Sequence, residues 1–454
     1  MPAPDGAPPA PAAGRSPHGL RAGLAGLTTR GRSFLAAGVT AIGCAYILDQ
    51  DALLRVGVLL AALPLSAVLL LVRTRYRVAS GRRLNPHRAT AGQEARVHLR
   101  VDNVSRVPTG LLLLEDKVPY VLGPRPRFVL DRIEPRGYRE VSYRVRSDLR
   151  GRYPLGPLQL RLSDPFGMCE LTRAFAACDL LTVVPQVQKL PDSRLSGEWA
   201  GQGESRSHTL ALAGDDDVIL REYRPGDDLR RVHWKSTARY GELMVRREEQ
   251  PQKARATVLL DTREFGHRGS GPASSFEWAV SCAASVGVHL LERGYQTRLL
   301  TDDGQCVPGP DSGGSNTIAE SSGLLLDALA IVEQSDGGGL SRAEEALRLG
   351  GEGLLVAVLG SLDEEQIARL GRLRRRTGGA VAFLLDTGSW SGLHALAPGL
   401  GNGEFDAGVR RLRRAGWTVL PVRAGDSVPE LWRAADRATG PGDARAPHRE
   451  EAGA

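Results

Sequence analysis

The sequence predicts a multidomain protein that begins with a two-helix transmembrane hairpin, continues with a β-sandwich and ends with an α/β domain. Three observations support this. Two uncharged apolar runs lie close to the N-terminus, a segment of alternating apolar and polar residues follows them, and continuous apolar runs separated by amphipathic stretches fill the second half of the 454 residues. Each pattern has the period of one structural class.

The predicted hairpin covers residues 33–72. Its two uncharged runs are joined by the acidic break Asp49-Gln50-Asp51, and each is long enough for a bilayer core of about 20 apolar residues once its flanks are counted. Arginines precede the first run and follow the second, which predicts a cell-membrane protein with both termini and the large C-terminal region in the cytoplasm. A cleaved signal peptide and a buried soluble hairpin are the alternatives, and the second apolar run argues against cleavage. Residues 1–29 and 439–454 read as disordered tails.

An immunoglobulin-like β-sandwich is predicted for residues 78–190. Segments such as 95–103, 139–147 and 155–164 alternate apolar and polar side chains and are separated by turn residues. This period of two is typical of antiparallel strands with one buried face, and about seven such strands make an immunoglobulin-like sandwich.

A Rossmann-like α/β domain is predicted for residues 254–438. Its buried parallel strands are expected at 256–261, 354–360, 380–386 and 417–423, whereas the alternating segment 295–303 is expected to form an antiparallel edge. Helices are expected at 275–292, 322–334, 361–376, 404–415 and 427–438, the third opening with a capping box over Ser361–Glu364.

Ligands of such sheets bind beyond the carboxyl ends of the strands, where Asp261 and Asp386 lie. Neither a dinucleotide-binding glycine motif nor a P-loop motif occurs in the sequence, so nucleotide binding is unsupported.

A highly charged segment lies between these domains, within the predicted linker region 196–253. It reads LREYRPGDDLRRVHWKSTARYGELMVRREE over residues 220–249. Asp227 or Asp228 is placed to cap a short helix that begins near Leu229 and ends at Tyr240-Gly241, before a strand over 242–249. The signs of its charges nearly balance, which disfavours nucleic-acid binding.

Three interpretations of this segment stay open. Its arginines, Arg224, Arg230, Arg231 and Arg239, pair with the two aspartates and fix the turn. Alternatively the helix N-terminus binds an anion, or His233 acts as a general base in an enzyme, with Arg224 and Arg239 holding the substrate. No nucleophile motif accompanies His233, so we predict an architectural or interaction role and no catalytic residue.

The segment resembles the signature of bacterial domain-of-unknown-function family 58, of actinobacterial type. The residues that carry the resemblance are Tyr223, Arg224, Pro225, Gly226, Asp227, Asp228, Arg230, His233, Trp234 and Arg239. The resemblance implies that the C-terminal domain is von Willebrand factor A-like. It also implies association with a MoxR-type AAA+ ATPase and a transglutaminase-like membrane protein.

Von Willebrand factor A domains often hold Mg²⁺ through D-x-S-x-S after the first strand. Here the sequence reads Asp261-Thr262-Arg263-Glu264-Phe265, so the aspartate is kept and both serines are replaced. We therefore predict a degenerate site that binds no metal, and no cofactor. The resulting hypothesis is a non-enzymatic, membrane-anchored cytoplasmic scaffold that acts with an ATPase in assembly or maturation of cell-envelope proteins. The alternative is an enzyme or anion-binding protein that uses residues 221–239.

Overall fold

The structure is a computed structural model of the chain. It describes residues 26–73, 78–164, 166–192, 220–223, 232, 234–246, 254–307, 317–350, 353–391 and 403–439. Two compact units divide the chain, residues 1–184 and residues 185–454, and each is described by itself. The predicted N- and C-terminal tails and most of the predicted linker lie outside the described residues.

The first unit opens with two antiparallel apolar helices, α1 (Thr29–Leu48) and α2 (Asp51–Arg73). Both are long and apolar enough to cross a membrane, as the sequence predicts. Asp49 adopts a left-handed conformation (φ 51°) and closes the turn between them. A Cβ atom at Gly38 would lie 2.7 Å from the backbone nitrogen of Ala61, so the helices pack through small residues, as membrane helices commonly do.

A sheet-rich region follows the helices. Its strands are β1 (Val78–Asn85), β2 (Arg88–Thr90), β3 (Glu94–Asn103), β4 (Leu112–Asp116), β5 (Arg127–Leu130), β6 (Tyr138–Arg146), β7 (Gly151–Leu155), β8 (Leu158–Ser163), β9 (Glu170–Phe175) and β10 (Asp179–Val184). They form three sheets with the orders β1-β3-β6, β2-β10-β7 and β5-β4-β8-β9.

The described strands of this region number ten, where the alternating pattern predicted about seven. Prolines explain part of the difference. Residues 155–164 read as one strand, but Pro157 separates β7 from β8, and Pro86 separates β1 from β2. A proline has no backbone N–H to donate to a ladder, so prolines are confined to edge strands and to the ends of strands. Pro86 and Pro157 lie just beyond strand ends.

The second unit contains a small hairpin and a large mixed sheet. The hairpin pairs β11 (Leu220–Glu222) with β12 (Met244–Arg246), on either side of the helix α3 (Trp234–Tyr240). The large sheet consists of β13 (Arg255–Leu260), β14 (Gln296–Thr301), β15 (Cys306–Val307), β16 (Leu354–Leu359), β17 (Gly379–Leu385) and β18 (Thr418–Val422). Its helices are α4 (Ser275–Glu292), α5 (Ile318–Ile331), α6 (Ser341–Gly350), α7 (Glu364–Arg374), α8 (Gly403–Arg414) and α9 (Val428–Thr439).

The strand order of the large sheet is β15-β14-β13-β16-β17-β18, and every pair is parallel except β14 with β15. The α/β prediction is therefore confirmed. Side chains of β13 alternate between two cores, with Val258 in the cluster that contains α4 and Leu259 in the cluster that contains α7. Because the sheet is covered on both faces, β16 and β17 are buried throughout, as their continuous apolar runs indicate.

In the α/β domain, two local predictions were wrong and one helix was not predicted. The segment 295–303 is not an antiparallel edge, because β14 lies parallel to β13 and the antiparallel edge strand is β15. The capping box of α7 is formed by Asp363 and Gln366, two residues beyond the predicted pair, because the Asp363 carboxylate accepts from the Gln366 N–H at 2.7 Å. The helix α6 was missed altogether, since its high proportion of charged residues hides a short apolar face.

Candidate functional site

The strand order places a crevice next to β13. From β13 the chain runs outward through β14 to β15, then returns to the other side of β13 and continues through β16 to β18. Loops that leave β13 and β16 at their carboxyl ends therefore diverge at this point, where open α/β sheets bind ligands. Asp261 directly follows β13, and Gly360 directly follows β16.

A buried ion pair joins Asp261 to Arg263 in this crevice. Both side chains are completely inaccessible to solvent. Arg263 donates from Nε to Asp261 Oδ1 at 2.7 Å and from Nη2 to Oδ2 at 2.6 Å, so the pair is bidentate. The Gly360 N–H donates to Oδ2 at 3.0 Å. The Asp261 carboxylate therefore connects the carboxyl ends of β13 and β16, the two strands between which the strand order of the sheet reverses.

The rest of the Arg263 guanidinium is held by its surroundings. Nη2 also donates to the carbonyl oxygen of Ser361 at 3.1 Å, and the Phe265 ring lies with its centroid 5.0 Å from the guanidinium carbon. Within the described part of the chain, the buried Nη1 atom has no hydrogen-bond partner. Phe265 is 48% exposed, so this ring separates the buried cation from solvent.

A second aspartate, Asp302, organises the neighbouring loops. It follows β14 and is 1% exposed. Its Oδ1 atom accepts from the backbone N–H and the hydroxyl of Thr262, and its Oδ2 atom accepts from the Ser335 hydroxyl at 2.8 Å. The Ser335 N–H donates to the Thr262 carbonyl at 2.7 Å. Asp302 thus ties the loop after β13 to the segment between α5 and α6.

His267 completes the buried polar layer. Its Nε2 atom lies 2.8 Å from the carbonyl oxygen of Asp261, and its Nδ1 atom lies 3.2 Å from the Ser275 hydroxyl. A carbonyl oxygen can only accept, so Nε2 carries the proton. Burial lowers the pKa of His267 below its usual range, although the nearby Asp261 acts in the opposite direction. The neutral imidazole is therefore the form that this site favours.

The arrangement does not fit a divalent cation. Hard cations take oxygen ligands, but both oxygens of Asp261 are bound by the Arg263 guanidinium, which carries the charge a metal would supply. The next position of the motif, Phe265, offers no side-chain oxygen. Among the described residues, no group of three His, Cys, Asp or Glu side chains is placed to hold a metal ion.

A polar groove of about 450 Å³ lies at the same edge of the sheet. Asp302 and Asp303 line one side, and the loop 337–339, the start of α6 and the first two turns of α7 line the rest. Its charged side chains are four carboxylates and two guanidiniums, contributed by Asp302, Asp303, Asp363, Glu365, Arg342 and Arg369. Glu365 accepts from Arg369 at 2.6 Å. An excess of negative charge disfavours a phosphate and favours a segment that carries basic residues.

Asp386 does not share the Asp261 site. It follows β17, and β16 lies between β17 and β13 in the sheet. Its carboxylate is 3.9 Å from Arg423 Nε. The two aspartates that the sequence singled out therefore end strands that are not neighbours.

The charged signature segment is described only in part. Tyr223 is half-buried, and its N–H donates to the Leu243 carbonyl at 2.8 Å. Trp234, at the start of α3, is 69% exposed, and Arg239 is exposed in its last turn. The predicted end of the helix at Tyr240 is confirmed, with Gly241 in the left-handed region. The predicted start near Leu229 is wrong, because the helix begins at Trp234 and Val232 before it is not helical. The remaining residues lie outside the described part of the chain: Arg224, Pro225, Gly226, Asp227, Asp228, Arg230, Arg231 and His233.

Sequence reasoning identified Asp261 and Arg263 but missed their neighbours. Asp302 ends β14 as Asp261 ends β13, and this shared position would have revealed it had 295–303 been assigned to a parallel strand. Thr262, Ser335 and His267 lack such a signal, because only the folded chain brings them to these aspartates.

Comparison with known proteins finds one family match, which lies within the second unit. The family described as "Protein of unknown function DUF58" matches residues 219–377. The uncharacterized protein YeaD of Bacillus subtilis (strain 168) is 27% identical over 165 residues, which are 36% of this chain and 38% of that protein. The chain thus aligns with less than half the length of this relative.

Likeness to solved structures is weak. The CARDB domain of the PF1109 protein from Pyrococcus furiosus shares 11% identity, with a TM-score of 0.19, over 24% of this chain and 90% of that domain. The GH3 β-glucosidase of Bifidobacterium adolescentis shares 17% identity, with a TM-score of 0.16, over 28% of this chain and 20% of the enzyme. Likeness at these scores bears on neither fold nor function. The DUF58 match, by contrast, contains the signature segment and the Asp261–Arg263 pair.

Proposed function

We propose that the chain is a non-enzymatic, membrane-anchored scaffold of the DUF58 type whose α/β unit binds a partner protein without a metal ion. In this proposal the sheet-rich region is an immunoglobulin-like sandwich, the α/β unit is von Willebrand factor A-like, and both termini and the α/β unit face the cytoplasm. The two apolar helices, the strand order of the large sheet and the family match over 219–377 support it.

One observation carries the proposal: the buried bidentate pair of Asp261 and Arg263 at the switch point of the sheet. A metal-dependent site uses a cation to present an open coordination position to a partner's carboxylate. Here the cation belongs to the chain and is covered by Phe265. The Asp261 carboxylate is therefore not open to a partner, and recognition falls to the loops around it.

The partner we propose is a MoxR-type AAA+ ATPase, acting together with a transglutaminase-like membrane protein in assembly or maturation of cell-envelope proteins. The groove beside Asp303 and Glu365 provides a surface for this contact, because its excess of carboxylates suits a basic segment of the partner. Rim charges of this kind set association rate and specificity more than total affinity.

Titration calorimetry of the purified full-length chain with Mg²⁺ tests the metal-independent part of the proposal. We expect no binding of Mg²⁺, Mn²⁺ or Ca²⁺ and no change in thermal stability on addition of EDTA. Saturable Mg²⁺ binding that disappears in Asp261→Ala would contradict the proposal. An Arg263→Ser variant is the informative comparison, since it frees the Asp261 carboxylate for a cation.

Affinity purification from membranes tests the partner. The full chain is expected to recover the ATPase, and Asp303→Lys combined with Glu365→Lys is expected to weaken recovery. Glu292→Lys is the matched control, because this exposed carboxylate ends α4 at the opposite edge of the sheet. If the groove variant and the control recover equal amounts of ATPase, the groove is not the contact surface. If even the unaltered chain recovers none, the ATPase is not its partner.

A further inference from the structure

The end of the sheet-rich region that is attached to the helical hairpin can be identified from hydrogen bonds. The Thr28 N–H donates to the Met168 carbonyl at 2.9 Å, and the Glu170 N–H donates to the Gly26 carbonyl at 2.8 Å. Thr28 also donates from its hydroxyl to the Gly167 carbonyl at 2.7 Å. The start of α1 is therefore fixed to the turn between β8 and β9.

Strand register shows which loops lie at this end. Leu112, the first residue of β4, pairs with Leu162 near the end of β8, so the loop 104–111 and the turn 164–169 open at the same end of their sheet. Val78, the first residue of β1, pairs with Asn103, the last residue of β3. The chain that returns from α2 thus enters the sheets beside the loop 104–111.

Four exposed apolar side chains lie in these two loops. Phe166 is 65% exposed, Val104 57%, Leu111 53% and Val107 45%. A single exposed apolar residue requires no explanation, but a group at one end of a domain marks an interaction surface. At the far end, beyond β4, Tyr120 is the corresponding exposed aromatic residue, 91% accessible.

Packing sets the level of the turn along the helices. Cys169 is buried against Leu27 and Val68, with Leu35 beside them. At 1.5 Å per residue, Leu35 lies about 9 Å along α1 from Thr29, and Val68 lies about 7.5 Å from the end of α2. The turn thus contacts the hairpin from the residues just before α1 to one to two helical turns inside its ends. In a hairpin that spans a bilayer, this is the level of the headgroups and the first acyl carbons.

We propose that the two loops form a membrane-insertion surface, in which Phe166 enters the interfacial layer of the leaflet that the hairpin penetrates and Val104, Val107 and Leu111 rest on the same layer. This inference depends on the proposed membrane anchoring. The partner is a lipid surface, because the turn that carries Phe166 is hydrogen-bonded to the start of α1, the helix proposed to enter the bilayer. The sheet-rich region is then held at a fixed orientation on the membrane.

Fluorescence quenching by brominated lipids tests the proposal. All six tryptophans of the chain lie beyond residue 184, so Phe166→Trp places the first tryptophan in the first unit. Tyr120→Trp is the matched control, another exposed aromatic position at the far end. Each full-length variant is reconstituted into vesicles of phosphatidylcholine and phosphatidylglycerol whose acyl chains carry bromine near the headgroup. The quenching measured for the unaltered chain is subtracted from that of each variant. Carbonate extraction measures membrane integration in parallel.

The expected result is a clear loss of the added fluorescence at position 166 and none at position 120, in protein that resists carbonate. If the protein resists carbonate but the two positions are quenched equally, the insertion surface is wrong while membrane anchoring stands. If carbonate releases the chain, the hairpin does not span the bilayer, and both the anchoring and the insertion surface are overturned.

Discussion

Removal of the internal cation is the perturbation that most directly tests how the candidate site is built. Arg263→Met keeps much of the side-chain volume but leaves the Asp261 carboxylate fully buried. Among the described residues, its remaining hydrogen-bond donors are then the backbone N–H groups of Gly360 and of position 263. Breaking a buried pair by removing one partner costs about 3–5 kcal/mol, because it leaves an uncompensated buried charge. Domains are stable by about 5–15 kcal/mol, so the α/β unit should be severely weakened.

The double variant Asp261→Asn with Arg263→Met supplies the control. It removes both charges together, and replacing a buried pair by neutral groups of similar size is often close to neutral. We therefore expect the double variant to be more stable than either single variant, with a coupling energy at the upper end of the usual range of about 0.5–3 kcal/mol or beyond it.

Urea unfolding of the full chain, followed by tryptophan fluorescence, measures this effect. Because all six tryptophans lie beyond residue 184, the signal reports on the second unit and not on the hairpin or the sheet-rich region. The free energy of unfolding follows from linear extrapolation of the transition. A loss below about 1 kcal/mol in Arg263→Met, or strictly additive effects in the double variant, would refute the internal-cation interpretation.

Three further measurements test other parts of the structure. A Cβ at Gly360 would lie 2.1 Å from a backbone carbonyl oxygen, so Gly360→Ala should destabilise by several kcal/mol, whereas Gly338→Ala, with open space around it, should change the unfolding midpoint little. Burial lowers the pKa of His267, so the unfolded chain binds a proton more readily than the folded chain does. The free energy of unfolding should therefore fall as the pH drops below about 6.5. In urea titrations from pH 5 to 8, His267→Gln should make the free energy of unfolding depend less on pH. Burial raises the pKa of the Cys282 thiol well above its usual range, so iodoacetamide followed by peptide mass spectrometry should modify exposed Cys178 readily and Cys282 only after unfolding; equal labelling of the two would argue against the packing of α4.

Architecture was largely readable from periodicity. A helix that meets lipid, a half-buried antiparallel strand and a fully buried parallel strand each impose a different pattern on the sequence, and all three patterns are present. Errors arose where one residue overrides a local pattern. Pro157 follows the end of β7 although the alternating pattern continues through it. The N-cap of α7 is Asp363 and not Ser361, the residue that the sequence pattern indicated.

The candidate site divides in the same way. That Arg263 brings a positive charge near Asp261 follows from their separation of two residues in the sequence. The sequence does not show that the two side chains are fully buried, form a bidentate pair and are covered by Phe265. Their burial depends on the loops after β14 and β16, which come from distant parts of the chain.

By itself, the sequence determined the order of hairpin, sheet-rich region and α/β unit, because backbone periodicity and apolar run length are local properties of the chain. Only the tertiary structure decided that Asp302 and Gly360 lie beside Asp261 at one crevice. It also decided that Phe166 and Leu111 lie at the hairpin end of their sheet. Strand register and strand order bring these residues together, and both are set by contacts between segments far apart in the sequence.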